Sequence, residues 1–201
     1  MSEEHAWLAL YWFVWCALHS ALAGTAFARP LEKVCGRYYR LFYNAFSALT
    51  LWPLWWFTRS IRAEYVWVWD GWMRAVQVAL LLAAGLLFAL AARRYDMKVF
   101  LGLAAPQRGL ATTGLDRGGV LAFVRHPWYL AALLLVWARD LTLADLVVNA
   151  VLVGYLWGGT LLEERKLVQT YGEDYRRYQA QVSMLIPWKW LQGVGVDKSA
   201  A

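Results

Sequence analysis

Apolar blocks about as long as a bilayer is thick recur five times along this chain, and they constrain its fold more than any other feature. They read AWLALYWFVWCALHSALAG (6–24), LFYNAFSALTLWPLWWF (41–57), WMRAVQVALLLAAGLLFALAA (72–92), VLAFVRHPWYLAALLLVWA (120–138) and LADLVVNAVLVGYLWGGTLL (143–162). A helix of about 20 apolar residues crosses a hydrocarbon slab of roughly 30 Å, and in lipid the helix is one of only two structures that satisfy every backbone polar group. The expected fold is an all-α integral membrane protein with five transmembrane helices. The chain is 61% hydrophobic and 17% charged, where a soluble domain runs nearer half and a quarter. The apolar excess is gathered in blocks, so it marks membrane spans and not a large soluble core.

A net charge of +6 raises the question of nucleic acid. The basic residues are spread over loops between apolar blocks, so topology explains them better and no nucleic-acid partner is expected. Arg29, Lys33, Arg37 and Arg40 lie between the first and second blocks; Arg93, Arg94, Lys98, Arg108, Arg117 and Arg125 lie between or at the edges of the third and fourth. Arg165, Lys166, Arg176, Arg177, Lys189 and Lys198 lie in the tail, leaving only Arg59, Arg62, Arg74 and Arg139 for the other side. The positive-inside rule then puts the N-terminus outside and the C-terminus in the cytoplasm. The start, MSEEHAW, is acidic and lacks the basic n-region of a cleaved signal peptide, so the first block is expected to persist as a helix. Trp-rich stretches such as YVWVWDGW and WPLWW suit the headgroup level as an aromatic belt. Cys16 and Cys35 stand in unlike surroundings, and His5, His19 and His126 form no cluster, so neither a disulfide nor a metal site is expected.

The fourth block carries Arg125, His126 and Pro127 at its mouth. Proline fits the first turn of a helix, and charges beside a bilayer are expensive and usually functional. WARDLTLAD, between the fourth and fifth blocks, is short enough to force an antiparallel helical hairpin. Arg125 and His126 would then return beside Glu163 and Glu164 of LLEERKL. Such a group either closes the hairpin as an ion-pair cluster or grips a zwitterionic or cationic ligand. Tyr171, Tyr175 and Tyr178 fall at helical spacing in the tail. That stripe fits an amphipathic cytoplasmic helix resting on the membrane surface or capping the hairpin. The loop LGLAAPQRGLATTGLDRGGV has the composition to bring backbone groups to a ligand. The organisation expected is a three-helix membrane region over 1–95 and a catalytic region over 96–201.

GVLAFVRHPWY, the short hairpin, EERKLVQTYGEDYRRY and the closing IPW together resemble the isoprenylcysteine carboxyl methyltransferase superfamily of integral membrane methyltransferases. The signature there reads R-H-P-x-Y, then E-E-x-x-L-x-x-x-[FY]-G-x-x-Y-x-x-Y, and the likeness covers roughly the last hundred residues. LHSALAG and YYRLFYNAFSALTLWPL in the other half look like two bacterial branches. One is the methanethiol S-methyltransferases; the other is a membrane family linked to nitrite and nitric oxide reduction. The resemblance implies an enzyme of the bacterial inner membrane that binds S-adenosylmethionine in a cytoplasm-facing site of the hairpin. It implies a lipophilic or small acceptor arriving from the bilayer. Carried over, the cofactor positions are Arg125, His126, Pro127, Trp128, Tyr129 and Glu163, with Gln107, Thr113 and Leu115 in the preceding loop. Arg125 or His126 would pair the methionine carboxylate and Glu163 the amino group or ribose, while Tyr129 packs on the sulfonium or adenine. His126 and Glu164 are the candidate proton acceptors.

One position departs from the pattern. Prenylcysteine enzymes carry an arginine four residues before the cofactor glutamate, to serve the acceptor's carboxylate; here that residue is Gly159. The apolar wall YLWGGTLL favours a neutral thiol instead. The competing readings are a prenylcysteine or phospholipid methyltransferase, an NADPH-dependent membrane reductase of the sterol-reductase type, and a non-catalytic membrane protein assisting nitrite or nitric oxide reduction.

Overall fold

The computed structural model describes residues 3–104 and 114–193, and nearly every element is helical. Three helices are long and apolar enough to cross a membrane: α1 (Glu3–Ala23), α4 (Met73–Ala92) and α7 (Leu143–Tyr171). The protein is thus a mostly helical chain with membrane-length apolar helices. The second block lies within α3 (Tyr39–Ser60). The fourth becomes α6 (Pro127–Trp137), whose 11 residues reach only about 16 Å at 1.5 Å per residue. The Arg-His-Pro sequence sets that limit: proline excludes the preceding residue from the helical region, and His126 stands at φ −123°, ψ 67°.

The chain forms two units. The first comprises residues 1–69, 95–107 and 140–155. Here α1 opens with Glu3 and Glu4, which complement the positive end of the helix dipole. It packs on α3 through Leu8, Trp12, Leu54 and Ile61, joined by Ala144 and Val148 of α7. Between α1 and α3 runs α2 (Thr25–Cys35), an amphipathic helix with Pro30 inside it, then a short 3₁₀ turn over Gly36–Tyr38. Helix α5 (Met97–Leu101) begins at Asp96, whose carboxylate accepts from the N–H groups of Lys98 and Val99, as N-caps do. It stops at Gly102, held at φ 80°; a Cβ there would stand 2.3 Å from the Leu41 nitrogen. The all-α expectation needs one amendment. Strand β1 (Tyr65–Trp67) pairs antiparallel with β2 (Leu141–Thr142).

The second unit comprises residues 70–94, 108–139 and 156–201. Its scaffold is α4 packed on α6. Small side chains let these helices approach, with Ala84, Ala91 and Ala131 fully buried. A second core joins α8 (Glu173–Gln181) to the end of α7, where Tyr175, Tyr178 and Val182 pack with Leu115, Leu167, Val168 and Tyr171. Gly172 at φ 56° separates α7 from α8, a left-handed turn that favours glycine. The tyrosine stripe of the tail therefore faces protein. Of the two roles expected for the stripe, membrane rest or hairpin cap, the packing is that of a cap: Tyr175 and Tyr178 are buried, their hydroxyls on Glu164 and the Leu121 carbonyl. A last turn, α9 (Trp188–Leu191), follows.

Candidate functional site

The site is built where residues 124–126 run beside 182–184. Val124 and Ser183 form a parallel bridge. The N–H groups of Arg125 and His126 donate to the carbonyls of Ser183 (2.9 Å) and Met184 (3.1 Å). The backbone leading into α6 is thus fixed by the segment leaving α8.

Glu163 and Glu164 are neighbours on α7, and successive helical residues point about 100° apart. Glu164 turns inward, its side chain 8% exposed, and collects donors from three directions. Arg125 grips it bidentately, Nε to Oε1 at 3.0 Å and Nη2 to Oε2 at 2.8 Å. Tyr175 donates to Oε1 at 2.7 Å, Gln179 donates to Oε2, and His126 Nε2 meets Oε1. A carboxylate offers about four acceptor sites, so this one is filled. The remaining Arg125 nitrogen donates to the carbonyls of Gln179 and Val182. A buried charge without a partner is costly; here each has several.

Glu163 turns the other way and remains 43% exposed. Its Oε2 accepts the Tyr129 hydroxyl at 2.9 Å and lies 3.6 Å from His126 Nδ1. The Tyr129 ring stacks on His126, centroids 5.6 Å apart. Burial opposes charge on His126, but the two glutamate carboxylates that its ring nitrogens face outweigh it and raise its pKa above the ordinary histidine value. Burial, with the Glu164 hydrogen bond, pushes the Tyr175 hydroxyl far upward, so it serves as a neutral donor.

Sequence reasoning singled out Arg125, His126, Tyr129, Glu163 and Glu164, and the structure brings these five together. Pro127 is the first helical residue of α6. Trp128 turns away, packing on Ala91, Val120 and Leu121 with its ring edge-on to Phe88 of α4. Leu115 sits in the Tyr175–Tyr178 core. Gln107 and Thr113 lie outside the described residues. Two expectations change character on chemical grounds. Arg125, one of the two residues expected at the cofactor carboxylate, is spent on Glu164 and two carbonyls. Glu164, a candidate proton acceptor, has no acceptor site left. Tyr175 and Gln179 were missed as site residues. Tyr175 stands in the Y-x-x-Y of the quoted signature, so a signal existed; Gln179 carried none.

The arrangement is a filled anion–cation core with one carboxylate left over. Such a carboxylate, braced by a tyrosine and a histidine, suits an ammonium group or a pair of hydroxyls.

A family model described as NnrU protein matches residues 7–191. Methanethiol S-methyltransferase 1 of Bradyrhizobium diazoefficiens is 46% identical over 68 residues, 33% of this chain and 24% of that protein. The methanethiol S-methyltransferase of Pseudomonas deceptionensis is 45% identical over 65 residues, 32% of this chain and 25% of that protein. That of Mycobacterium tuberculosis is 37% identical over 67 residues, 33% and 28% respectively. The aligned part thus spans about a quarter of these relatives. The likeness to the methanethiol S-methyltransferase branch, read from the motifs, is borne out. No solved structure matches.

Proposed function

Because the chain belongs to the NnrU protein family, we propose that it is an integral membrane methyltransferase that uses S-adenosylmethionine to methylate a small or lipophilic thiol. One observation carries this reading: Glu163 is the half-exposed carboxylate of an otherwise saturated buried cluster. The names of the relatives, methanethiol S-methyltransferases, support the acceptor class. The topology proposed with it has five crossings, the N-terminus outside, and the catalytic region of 96–201 ending in the cytoplasm of the bacterial inner membrane.

The side chains present fit such a cofactor. Glu163 takes its amino group or ribose hydroxyls, Tyr129 orients that carboxylate by donating to Oε2, and the His126 ring backs Tyr129. Pro127 and Trp128 set the start of α6, and Gln107, Thr113 and Leu115 are assigned to the approach loop. Arg125 and Glu164 hold His126 in place from behind. S-adenosylmethionine supplies, when bound, a methyl already activated on a sulfonium. The chain's own work is then positioning and exclusion of water more than proton transfer. Of the two candidate proton acceptors, Glu164 is filled and His126 has its pKa raised by the two glutamates its ring faces, so the thiol proton is left to water. Gly159, four residues before Glu163 with open space where a Cβ would stand, leaves room for a neutral acceptor and no guanidinium for a carboxylate.

Titration calorimetry of the purified protein with S-adenosylhomocysteine and with NADPH tests the cofactor. Binding of the first alone is expected; binding of NADPH alone would replace the reading with a reductase. Labelled S-adenosylmethionine supplied with a thiol panel and a prenylcysteine analogue tests the acceptor. Preferential labelling of the prenylcysteine would overturn the thiol assignment and leave methyl transfer standing.

A further inference from the structure

Among the described residues, the segment just beyond the site exposes a run of large apolar side chains. Ile186, Trp188, Trp190 and Leu191 are each more than half exposed. They are held rigidly all the same. Lys189, between the two tryptophans, turns inward: its N–H donates to Ser183 Oγ at 2.8 Å, and Nζ donates to the carbonyls of Gln179 (2.6 Å) and Ala180 (2.8 Å). These carbonyls belong to the last turn of α8, where a cation complements the helix dipole. The Trp190 ring packs edge-on to Phe123 at 5.3 Å, itself exposed. The lysine is thus drawn into the protein and the large apolar side chains are presented outward.

Rigid, outward tryptophan beside isoleucine and leucine has a chemical preference. Trp settles at the headgroup level of a bilayer, its ring in the acyl boundary and its N–H wet, and a contiguous apolar patch marks a surface that something covers. The chain supplies the occupant, since its own α1, α4 and α7 are of membrane length. We propose that Ile186–Leu191 is a foot that seats on the headgroup–acyl boundary of the surrounding bilayer and, through Ser183 and Met184, clamps the backbone of Arg125 and His126. The mechanical link is short. The Ser183 side chain is tied to Lys189, and the carbonyls of residues 183 and 184 accept from the N–H groups of 125 and 126. Lipid contact at 186–191 therefore bears directly on the strand that carries the site. The inference rests on the membrane reading and is independent of methyl transfer, so no readout below uses a methyl donor.

The test uses the full chain in lipid nanodiscs. In a Cys16→Ala, Cys35→Ser background, a nitroxide is placed at Leu191→Cys and, as a control, at Arg176→Cys on the exposed face of α8. Collision with oxygen exceeding collision with a water-soluble nickel chelate at 191, reversed at 176, is the expected result. Equal chelate access at both positions would overturn the foot. The clamp is read by amide hydrogen exchange. Trp188→Ser with Trp190→Ser should speed exchange at Arg125 and His126 by about tenfold while α4 stays protected, as local opening does. Trp188→Phe with Trp190→Phe should restore slow exchange, because phenylalanine keeps the apolar contact. Unchanged exchange at 125 and 126 in the serine variant would sever the clamp from the foot. A general rise that includes α4 would count against the clamp as well.

Discussion

Two polar clusters, one in each unit, are built from similar side chains and end up chemically unlike. In the first unit His19 of α1 meets the Tyr43 hydroxyl at 2.7 Å and Ser47 Oγ at 3.1 Å, both on α3. Trp15 stacks on His19 at 5.0 Å and donates to Thr50, while Tyr155 stands edge-on and accepts from Ser20. In the second unit His126 meets Glu163, Glu164 and, through Glu164, Arg125 and Tyr175. The first cluster is neutral hydroxyl and imidazole and ties one membrane-length helix to its neighbour. The second is charged and gathers where the start of α6 meets the body of α7 and the face of α8. What separates a knot from a candidate binding site is surplus. The first spends its groups on one another; the second leaves Glu163 half exposed.

The largest effect expected comes from removing the centre of the charged cluster. Glu164→Ala strands Arg125 and His126, both buried, and should destabilise the fold by about 3–5 kcal/mol, the range for breaking a buried pair from one side. Denaturant unfolding in detergent measures it. Glu164→Gln keeps the shape and part of the hydrogen bonding, so it should fall between. A loss below about 1 kcal/mol for the alanine variant, the level of an ordinary hydrogen bond, would put the two clusters on an equal footing.

Next in size is a binding effect confined to the second cluster. Glu163→Gln should weaken S-adenosylhomocysteine ten- to a hundredfold, about 1.5–3 kcal/mol for a charge-assisted hydrogen bond. Its unfolding midpoint should fall less than that of Glu164→Ala, since Glu163 is half exposed and Gln can still accept the Tyr129 hydroxyl. Calorimetry and unfolding on the same preparation check both halves. His19→Gln should leave the affinity as it was. If His19→Gln weakens binding as much as Glu163→Gln, the contrast between the clusters is broken.

Smaller again is the loss of one neutral hydrogen bond. Tyr43→Phe removes the hydroxyl that meets His19 and should cost about 1 kcal/mol of stability, with no change in cofactor affinity. A stability loss as large as that of Glu164→Ala would show that the neutral cluster hides a charge.

Much of this contrast was legible in the sequence, for reasons that also explain what was not. Arg125, His126, Tyr129, Glu163 and Glu164 were all in hand because a short hairpin folds two motifs onto each other, and loop length is written in the chain. Which glutamate would be filled was not. Adjacent residues on a helix differ only in facing, and the donors that decide it, Tyr175 and Gln179, come from α8. Tyrosine spacing at 171, 175 and 178 marks a shared face without saying whether lipid or protein lies against it. The facing of Trp128, toward Ala91 and Phe88, was hidden for the same reason. In the fold, the apolar blocks located α1, α4 and most of α7. Periodicity gave no hint of β1 and β2, which are too short and too far apart in sequence. Helix α5 carried its signals in Asp96 and Gly102, yet five residues are too few to stand out from a loop.

The finest distinction between the clusters is proton linkage, and its sign follows from His126. Burial pulls its pKa down, but the hydrogen bonds and charges of Glu163 and Glu164 raise it above the unfolded value. Arg125 and the Tyr129 ring also face this group, and Tyr175 reaches it through Glu164. A group whose folded pKa is raised binds its proton more tightly in the folded state, so it stabilises fully below the unfolded value, near 6.5 for histidine. That contribution is lost as pH climbs through the folded value. Unfolding midpoints of the parent should therefore drop, as pH rises above the ordinary histidine value of about 6.5, more than those of His126→Gln. Subtracting the two curves removes the contributions that both proteins share. The difference should be smaller than the mutational effects above, because burial cancels part of what the carboxylates contribute. A difference curve that is flat, or that rises with pH, would mean that burial wins and that His126 stands neutral between its two glutamates.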